Sequence, residues 1–143
     1  MNWREPVFVD TAHLIGLLIV EDQWHEAAVA ADDEVGERQR FTSHGVFQEL
    51  LAHTSRNGGR ARSEAVAAAR SMQRRESVFV VVHHPELVEA ALNLYDGEFR
   101  HTSLSLQDCI SIQIMRDFGI TEILTADQEF ALAGVTPLLR RYA

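Results

Sequence analysis

Short β-branched runs alternate with longer helical patterns along the whole chain, and this alternation limits the folds open to it. The strand-like runs cover residues 6–10, 40–43, 77–82 and 120–125, with a candidate edge strand at 135–139. Between them, apolar residues recur at helical spacing, and Gly and Pro mark helix ends. Elements in this order are typical of a parallel sheet with helices on both faces. We therefore predict an α/β fold with a central, mainly parallel sheet of four or five strands.

The basic residues of this chain are all arginines. The 143 residues include 13 Arg and no Lys against 21 Asp and Glu, which gives a formal net charge of -8. Sites that depend on Lys, such as P-loop and Schiff-base sites, are thereby excluded. The negative excess leaves room for bound cations, and it means that a nucleic acid would have to be held by local Arg clusters.

Length and cysteine content bound the class of protein. A chain of this size falls in the range of single domains, so we expect one domain over residues 1–143. The only cysteine, Cys109, permits no internal disulfide, which fits a reducing, cytoplasmic location. The longest apolar stretch, residues 14–20, is too short to cross a membrane, and no cationic export signal precedes it.

Four acidic residues fall where such a sheet would bring them to one edge. Asp10 ends the first strand and Asp127 follows the strand that ends at Thr125, so both belong at the carboxyl edge. Asp108 lies in the first turn of its helix, on the apolar stripe that faces the sheet. Glu49 lies at the border of the apolar face of another helix, from where it can reach inward. The sequence therefore predicts one acidic pocket.

The chemistry of this pocket follows from its charge. Like charges close together raise one another's pKa values, and divalent cations remove that conflict. Oxygen ligands without a thiolate or a zinc-type His spacing favour Mg²⁺ or Mn²⁺ over zinc. Such a pocket can position and deprotonate a water for attack on a phosphodiester. Asp117, nine residues after Asp108, falls on the opposite face of the same helix and is a poor candidate.

Four sequence pieces contain these acids. They are VFVDT at 7–11, TSHGVFQE at 42–49, SLSLQDCIS at 103–111, and TADQEF at 125–130 followed by Gly134. In order and spacing, across almost the whole chain, they resemble the motifs of PIN-domain nucleases, and among these the VapC-like toxins of prokaryotic type II toxin–antitoxin systems. The resemblance implies a three-layer α/β/α PIN-like fold and an Mg²⁺- or Mn²⁺-dependent endoribonuclease. It also implies a homodimer and a small antitoxin protein that inhibits the active site.

The resemblance assigns roles to particular residues. The metal-binding and catalytic acids it implies are Asp10, Glu49, Asp108 and Asp127. Thr11 and Thr125 would orient carboxylates or water. Independently of the resemblance, residue type makes Arg56, Arg60 and Arg62 of the Arg-rich segment candidates for RNA contacts, although exposed arginines of this kind more often form a solvated face or surface ion pairs.

One position departs from the family pattern. Close relatives often carry His or another basic group just before the final Phe, where this chain has Glu129. Two interpretations stay open. An RNA contact present in relatives is lost here, or Glu129 adds a fifth carboxylate near the metals.

Alternative interpretations compete with the nuclease hypothesis. Asp10, Asp108 and Asp127 each stand where an acid can simply cap a helix, but caps do not explain Glu49. A catalytically silent PIN-like binding module would be expected to lack one of the four acids. A Mg²⁺-dependent phosphohydrolase or phosphoacceptor would need a second Asp at position 12, which is Ala, or a Lys. A non-toxin PIN-domain RNA-processing nuclease would share every feature above.

Overall fold

The computed structural model describes residues 5–140. Within this range the five strands are β1 Val7–Val9, β2 Arg40–Ser43, β3 Val78–Val81, β4 Glu122–Leu124 and β5 Thr136–Pro137. The α-helices in the same range are α1 Thr11–Leu18, α2 His25–Val35, α3 His44–Thr54, α4 Gly58–Arg74, α5 Pro85–Asp96 and α6 Leu106–Phe118. A short 3₁₀ helix, Gln128–Ala133, follows β4. None of the helices within residues 5–140 is both long and apolar enough to cross a membrane.

The strands form one sheet in the order β3-β2-β1-β4-β5, and every pairing is parallel. This confirms the predicted α/β fold with its parallel sheet. The chain builds outward from β1 to β3 and then returns to the other side of β1 for β4 and β5. The direction of winding therefore reverses between β1 and β4, and in open parallel sheets the crevice at such a switch point is where ligands bind.

Helices cover both faces of the sheet, because right-handed crossovers in opposite directions place their helices on opposite sides. On one face, α1 packs against α2 and α3, and α3 packs against α4. On the other face, α5 packs against α6, and Phe118 of α6 contacts Phe41 of β2 with ring centroids 4.8 Å apart. The central strand β1 is fully enclosed between these layers.

Helix ends follow the local sequence in most places. Pro85 occupies the first turn of α5, where its missing N–H costs nothing. Gly119 ends α6 in the left-handed conformation, with a φ of 69° that favours Gly. α2 begins only at His25, because the Asp22 carboxylate accepts from the Trp24 N–H at 2.9 Å and forms a turn before it.

Two features depart from what the local sequence suggests. β3 is as β-branched as a central strand, but it is the edge of the sheet, where Phe79 is 47% exposed and the following Val82 is 62% exposed. Ser43 stands at the cap position of α3, yet its side chain makes no capping hydrogen bond. Apolar content shows that a strand belongs to the sheet, but it does not show whether the strand lies at the centre or at the edge.

Candidate active site

Asp10 and Thr125 lie side by side at the carboxyl edge of the sheet. They directly follow the paired strands β1 and β4, and the Asp10 N–H donates to the Leu124 carbonyl at 3.2 Å. The Thr125 hydroxyl donates to Asp10 Oδ2 at 2.7 Å. Asp10 is only 6% exposed. The switch point of the sheet thus holds a buried carboxyl group that is oriented by a hydroxyl from the neighbouring strand.

Glu49 reaches the same region from α3. Because α3 packs against α1, the first residue of α1 meets the middle of α3. The Thr11 hydroxyl donates to Glu49 Oε1 at 2.8 Å, and Glu49 is half-buried. The two threonines named in the sequence analysis therefore each donate to one of the candidate acids.

Asp108 lies in the first turn of α6, where it shares a capping box with Ser105. The Asp108 N–H donates to the Ser105 hydroxyl at 3.1 Å, and the Ser105 N–H donates to Asp108 Oδ2 at 2.9 Å. This reciprocal pair fixes the carboxylate relative to the helix start. The side chain is half-buried, whereas Asp117 at the other end of α6 is exposed and accepts from Gln113.

Asp127 is the most exposed of the four acids and stands just before the 3₁₀ helix. Its Oδ1 accepts from the Glu129 N–H at 2.9 Å. Its own N–H donates to the Thr125 hydroxyl at 3.2 Å, the same hydroxyl that donates to Asp10. Thr125 thus links the backbone of Asp127 to the carboxyl group of Asp10.

The four acids interact electrostatically, with Asp108 at the centre. Burial raises the pKa of Asp10 to about 7, the Thr125 hydroxyl opposes that rise, and the charges of Asp108 and Glu49 add to it. Burial likewise raises the pKa of Glu49, and the charge of Asp108 adds to the rise. The pKa of Asp108 is also raised, chiefly by burial, with a further contribution from Asp127. Negative charge accumulates here at a free-energy cost, which a bound cation would offset.

The residues fit a hard divalent cation. Every candidate ligand is a carboxylate oxygen, the donor type that Mg²⁺ and Mn²⁺ prefer. Within residues 5–140, no group of three or more His, Cys, Asp or Glu side chains is placed to hold a metal ion as the structure stands. The fit to a divalent cation therefore rests on the donor type of the four acids and not on a completed set of ligands.

The capping interpretation applies to two of the four acids. Asp108 and Asp127 both accept a local backbone N–H at a helix start. The Asp10 side chain makes no capping bond to α1, although Asp10 stands at the cap position. Glu49 lies inside α3. Helix capping therefore accounts for neither of the two acids that receive a threonine hydroxyl.

The three arginines suggested for RNA contacts lie beyond the far end of α3. Arg56, Arg60 and Arg62 are all exposed. Arg60 Nε pairs with Glu64 at 3.2 Å, and Arg62 donates to the Ser55 carbonyl at 3.3 Å. Glu49 lies five residues before the end of α3 at Thr54, which is about 7–8 Å at 1.5 Å per residue, and Arg56 lies beyond that end. These arginines can meet only a substrate that extends past the acids.

A polar cluster beside the acids was not predicted from the sequence. His83, which follows β3, accepts the Gly45 N–H through Nε2 at 3.3 Å. Gln107, next to Asp108, donates to Ser43 at 3.5 Å. A Cβ at Gly45 would lie 2.7 Å from Gln107 Cδ and nearer still to other atoms of Gln107 and His83. The available signal was positional, since His83 and Ser43 stand at strand ends on the same edge of the sheet as Asp10.

A separate cavity of about 170 Å³ lies under α1, α2 and α4, away from the four acids. Its walls are mostly apolar, with Leu14, Leu17 and Met72 among them. One side carries a polar group in which buried His13 and Arg40 both contact the Asp32 carboxylate, at 3.0 and 3.2 Å. This cavity contributes no atom to the acidic cluster.

Comparisons with known proteins agree with this fold. The model of the PIN domain family matches residues 7–135. The crystal structure of Mycobacterium tuberculosis VapC20, described as a sarcin-ricin loop cleaving toxin, superimposes with a TM-score of 0.81 at 28% sequence identity. The match covers 94% of this chain and 99% of that one. A search of curated proteins found no match.

Proposed function

The chain belongs to the PIN-domain family of nucleases, and we propose that it is a divalent-metal-dependent endoribonuclease that hydrolyses RNA phosphodiester bonds as the toxin of a toxin–antitoxin pair. The observation that carries the proposal is the acidic cluster at the switch point of the sheet, where Asp108 interacts electrostatically with Asp10 and Asp127. The likeness to VapC20, a toxin that cleaves the sarcin-ricin loop, supports the assignment to RNA and to a toxin.

Each acid has a role in this proposal. Asp10, Glu49, Asp108 and Asp127 hold the Mg²⁺ or Mn²⁺ and form the catalytic site. Thr125 and Thr11 keep the carboxylates of Asp10 and Glu49 turned toward the cluster through their hydroxyl hydrogen bonds. When bound, the cation offsets the negative charge of the scissile phosphate and of the departing oxygen. Burial of Asp10 excludes bulk water from the inner side of the site.

The partners follow from charge and from the family. With a net charge of -8, the protein must hold RNA through local arginines, and we propose Arg56, Arg60 and Arg62 for that role. We further propose that it forms a homodimer, that a small antitoxin protein inhibits the active site, and that it acts in the cytoplasm. The VapC-like motifs support these assignments, and the lone Cys109 fits a reducing compartment.

The test is RNA cleavage by the purified protein with Mg²⁺ or Mn²⁺. We expect cleavage to stop with EDTA and to return when the metal is restored in excess. Asp10→Asn and Asp108→Asn should each abolish cleavage while leaving the circular dichroism spectrum unchanged. Asp117→Asn is the matched control, because Asp117 is an exposed Asp on the same helix as Asp108. Full activity in a folded Asp108→Asn variant would contradict the proposed site.

A toxin and a housekeeping nuclease differ in their effect on cells. Expression of the wild-type chain should arrest growth, and Asp10→Asn should remove the arrest. Co-expression of a small protein encoded beside the gene should also relieve it. A chain that cleaves RNA in vitro but is tolerated at high expression would instead indicate an RNA-processing nuclease.

A further inference from the structure

Glu129 makes a contact that the sequence did not predict. It lies in the 3₁₀ helix after Asp127, and its carboxylate faces Ser103, 26 residues earlier in the chain. The Ser103 N–H donates to the two carboxylate oxygens at 3.3 and 3.1 Å, and the Ser103 hydroxyl donates to Oε2. Both oxygens of Glu129 are therefore directed at a single residue.

The contact joins the segments that carry two of the candidate acids. Ser103 stands two residues before Ser105, whose capping box fixes Asp108 at the start of α6. Leu104 between them is buried, so the segment cannot swing freely. On the other side, the Glu129 N–H donates to the Asp127 carboxylate at 2.9 Å. Hydrogen bonds thus run from Asp127 through Glu129 to the segment that leads into α6.

Local helix capping does not require this arrangement. The 3₁₀ helix is already capped by Asp127, and α6 is already capped by Ser105. The charge of Glu129 also adds to the negative potential at Asp108. The Glu129 carboxylate thus repels Asp108 and caps neither helix. Its contact with Ser103 is the feature that accounts for an acid at this position.

We propose that Glu129 is a positioning residue that sets the spacing between Asp108 and Asp127 by clamping Ser103, and thereby strengthens binding of the divalent cation. The proposal rests on the function proposed above. It differs from both earlier interpretations of Glu129 and argues against a fifth metal ligand, because a carboxylate with both oxygens on Ser103 supports Asp108 and Asp127 from outside the ligand set. Residues that orient metal ligands in this way typically change metal affinity by about 10- to 100-fold when they are replaced.

Titration calorimetry with Mn²⁺ alone tests the clamp without any RNA. We expect Glu129→Ala to weaken Mn²⁺ binding about tenfold. Glu129→Gln keeps an oxygen that can accept from the Ser103 N–H, so it should recover most of that loss. Ser103→Ala removes the hydroxyl contact alone and should have an intermediate effect. Glu89→Ala, an exposed acid on α5, is the matched control and should bind Mn²⁺ like the wild type.

A second readout separates positioning from general damage to the fold. In RNA cleavage, Glu129→Ala should raise the Mg²⁺ concentration for half-maximal activity about tenfold, while the rate at saturating Mg²⁺ stays close to that of the wild type. If Glu129→Gln loses as much Mn²⁺ affinity as Glu129→Ala while Ser103→Ala loses none, Glu129 is a metal ligand and the clamp is refuted. Wild-type Mn²⁺ affinity in Glu129→Ala also refutes it.

Failure of the clamp and failure of the proposed function are distinguishable. Suppose that the wild type binds Mn²⁺, that Glu129→Ala binds it about tenfold more weakly, and that the wild type cleaves no RNA. That result supports the clamp and contradicts the proposed nuclease function. A protein that cleaves RNA equally well with and without Glu129 at limiting Mg²⁺ contradicts the clamp alone. A wild-type protein with no measurable Mn²⁺ affinity contradicts both.

Discussion

Replacing Asp10 with Asn should stabilise the metal-free fold while abolishing activity. Asp10 is almost fully buried, and its pKa rises from 3.8 to about 7 on folding. At about 1.4 kcal/mol per pKa unit, that rise lowers the free energy of unfolding by roughly 4 kcal/mol when Asp10 is ionised in the folded protein. Asn carries no charge, and its side-chain oxygen can still accept the Thr125 hydroxyl, so the variant avoids this cost.

The sign of the pH dependence follows from linkage. Because the pKa of Asp10 is higher in the folded state than in the unfolded state, the folded protein binds the proton more tightly. The wild-type free energy of unfolding therefore falls as pH rises from about 4 through about 7. Relative to wild type, Asp10→Asn should be more stable by roughly 4 kcal/mol near pH 8 and by less than half of that near pH 5.

Urea denaturation in EDTA at these two pH values measures the difference. Added Mg²⁺ should then stabilise the wild type but not the variant, because only the wild type presents the full set of ligands. A variant that is no more stable than the wild type near pH 8 would refute the argument that Asp10 is buried at a cost. Equal differences at both pH values would show that the effect does not come from ionisation.

Three further substitutions test separate parts of the structure. Thr125→Val removes the hydroxyl that lowers the pKa of Asp10, so the pH–activity profile should move to higher pH, while Thr121→Val, at an exposed position, should leave it in place. Gly45→Ala places a Cβ against Gln107 and His83 and should lower the free energy of unfolding, measured by urea denaturation, by about 1–3 kcal/mol. Unchanged stability would show that both side chains move aside without cost. Leu50→Ala leaves a cavity at a fully buried position beside Glu49 and should lower the free energy of unfolding by about 2–5 kcal/mol. The protein that stays folded should need the same Mg²⁺ concentration for RNA cleavage as the wild type.

The fold was largely predictable because its signals are local. A β-branched run, a helix-starting Pro85 and a helix-ending Gly119 each act within a few residues, so element type and order could be read directly. The parallel sheet then follows from the alternation of strands and helices. The edge position of β3 was not predictable, since Phe79 and Val82 look equally suited to a central strand. Strand order depends on how the helices pack, which no local pattern records.

The positions of the candidate acids in the fold were predictable, but their contacts were not. The strand-end position of Asp10 and the helix-start position of Asp108 follow from sequence periods, so their nearness could be argued in advance. The hydrogen bond between Glu129 and Ser103 could not, because it depends on two loops meeting 26 residues apart in the chain. Gly45 was passed over for the same reason, since only the folded chain brings Gln107 and His83 against it.

The four acids of the site fall into two pairs by the hydrogen bonds they receive. Asp10 and Glu49 receive threonine hydroxyls, and Asp108 and Asp127 receive backbone N–H groups at two helix starts. Burial raises the pKa values of Asp10, Glu49 and Asp108 alike. A bound cation would favour the ionised form of Asp10, because a nearby positive charge lowers the pKa of a carboxyl group. Cation affinity should consequently rise with pH up to about 7, the pKa of Asp10, and level off above it, because binding and deprotonation of Asp10 are linked.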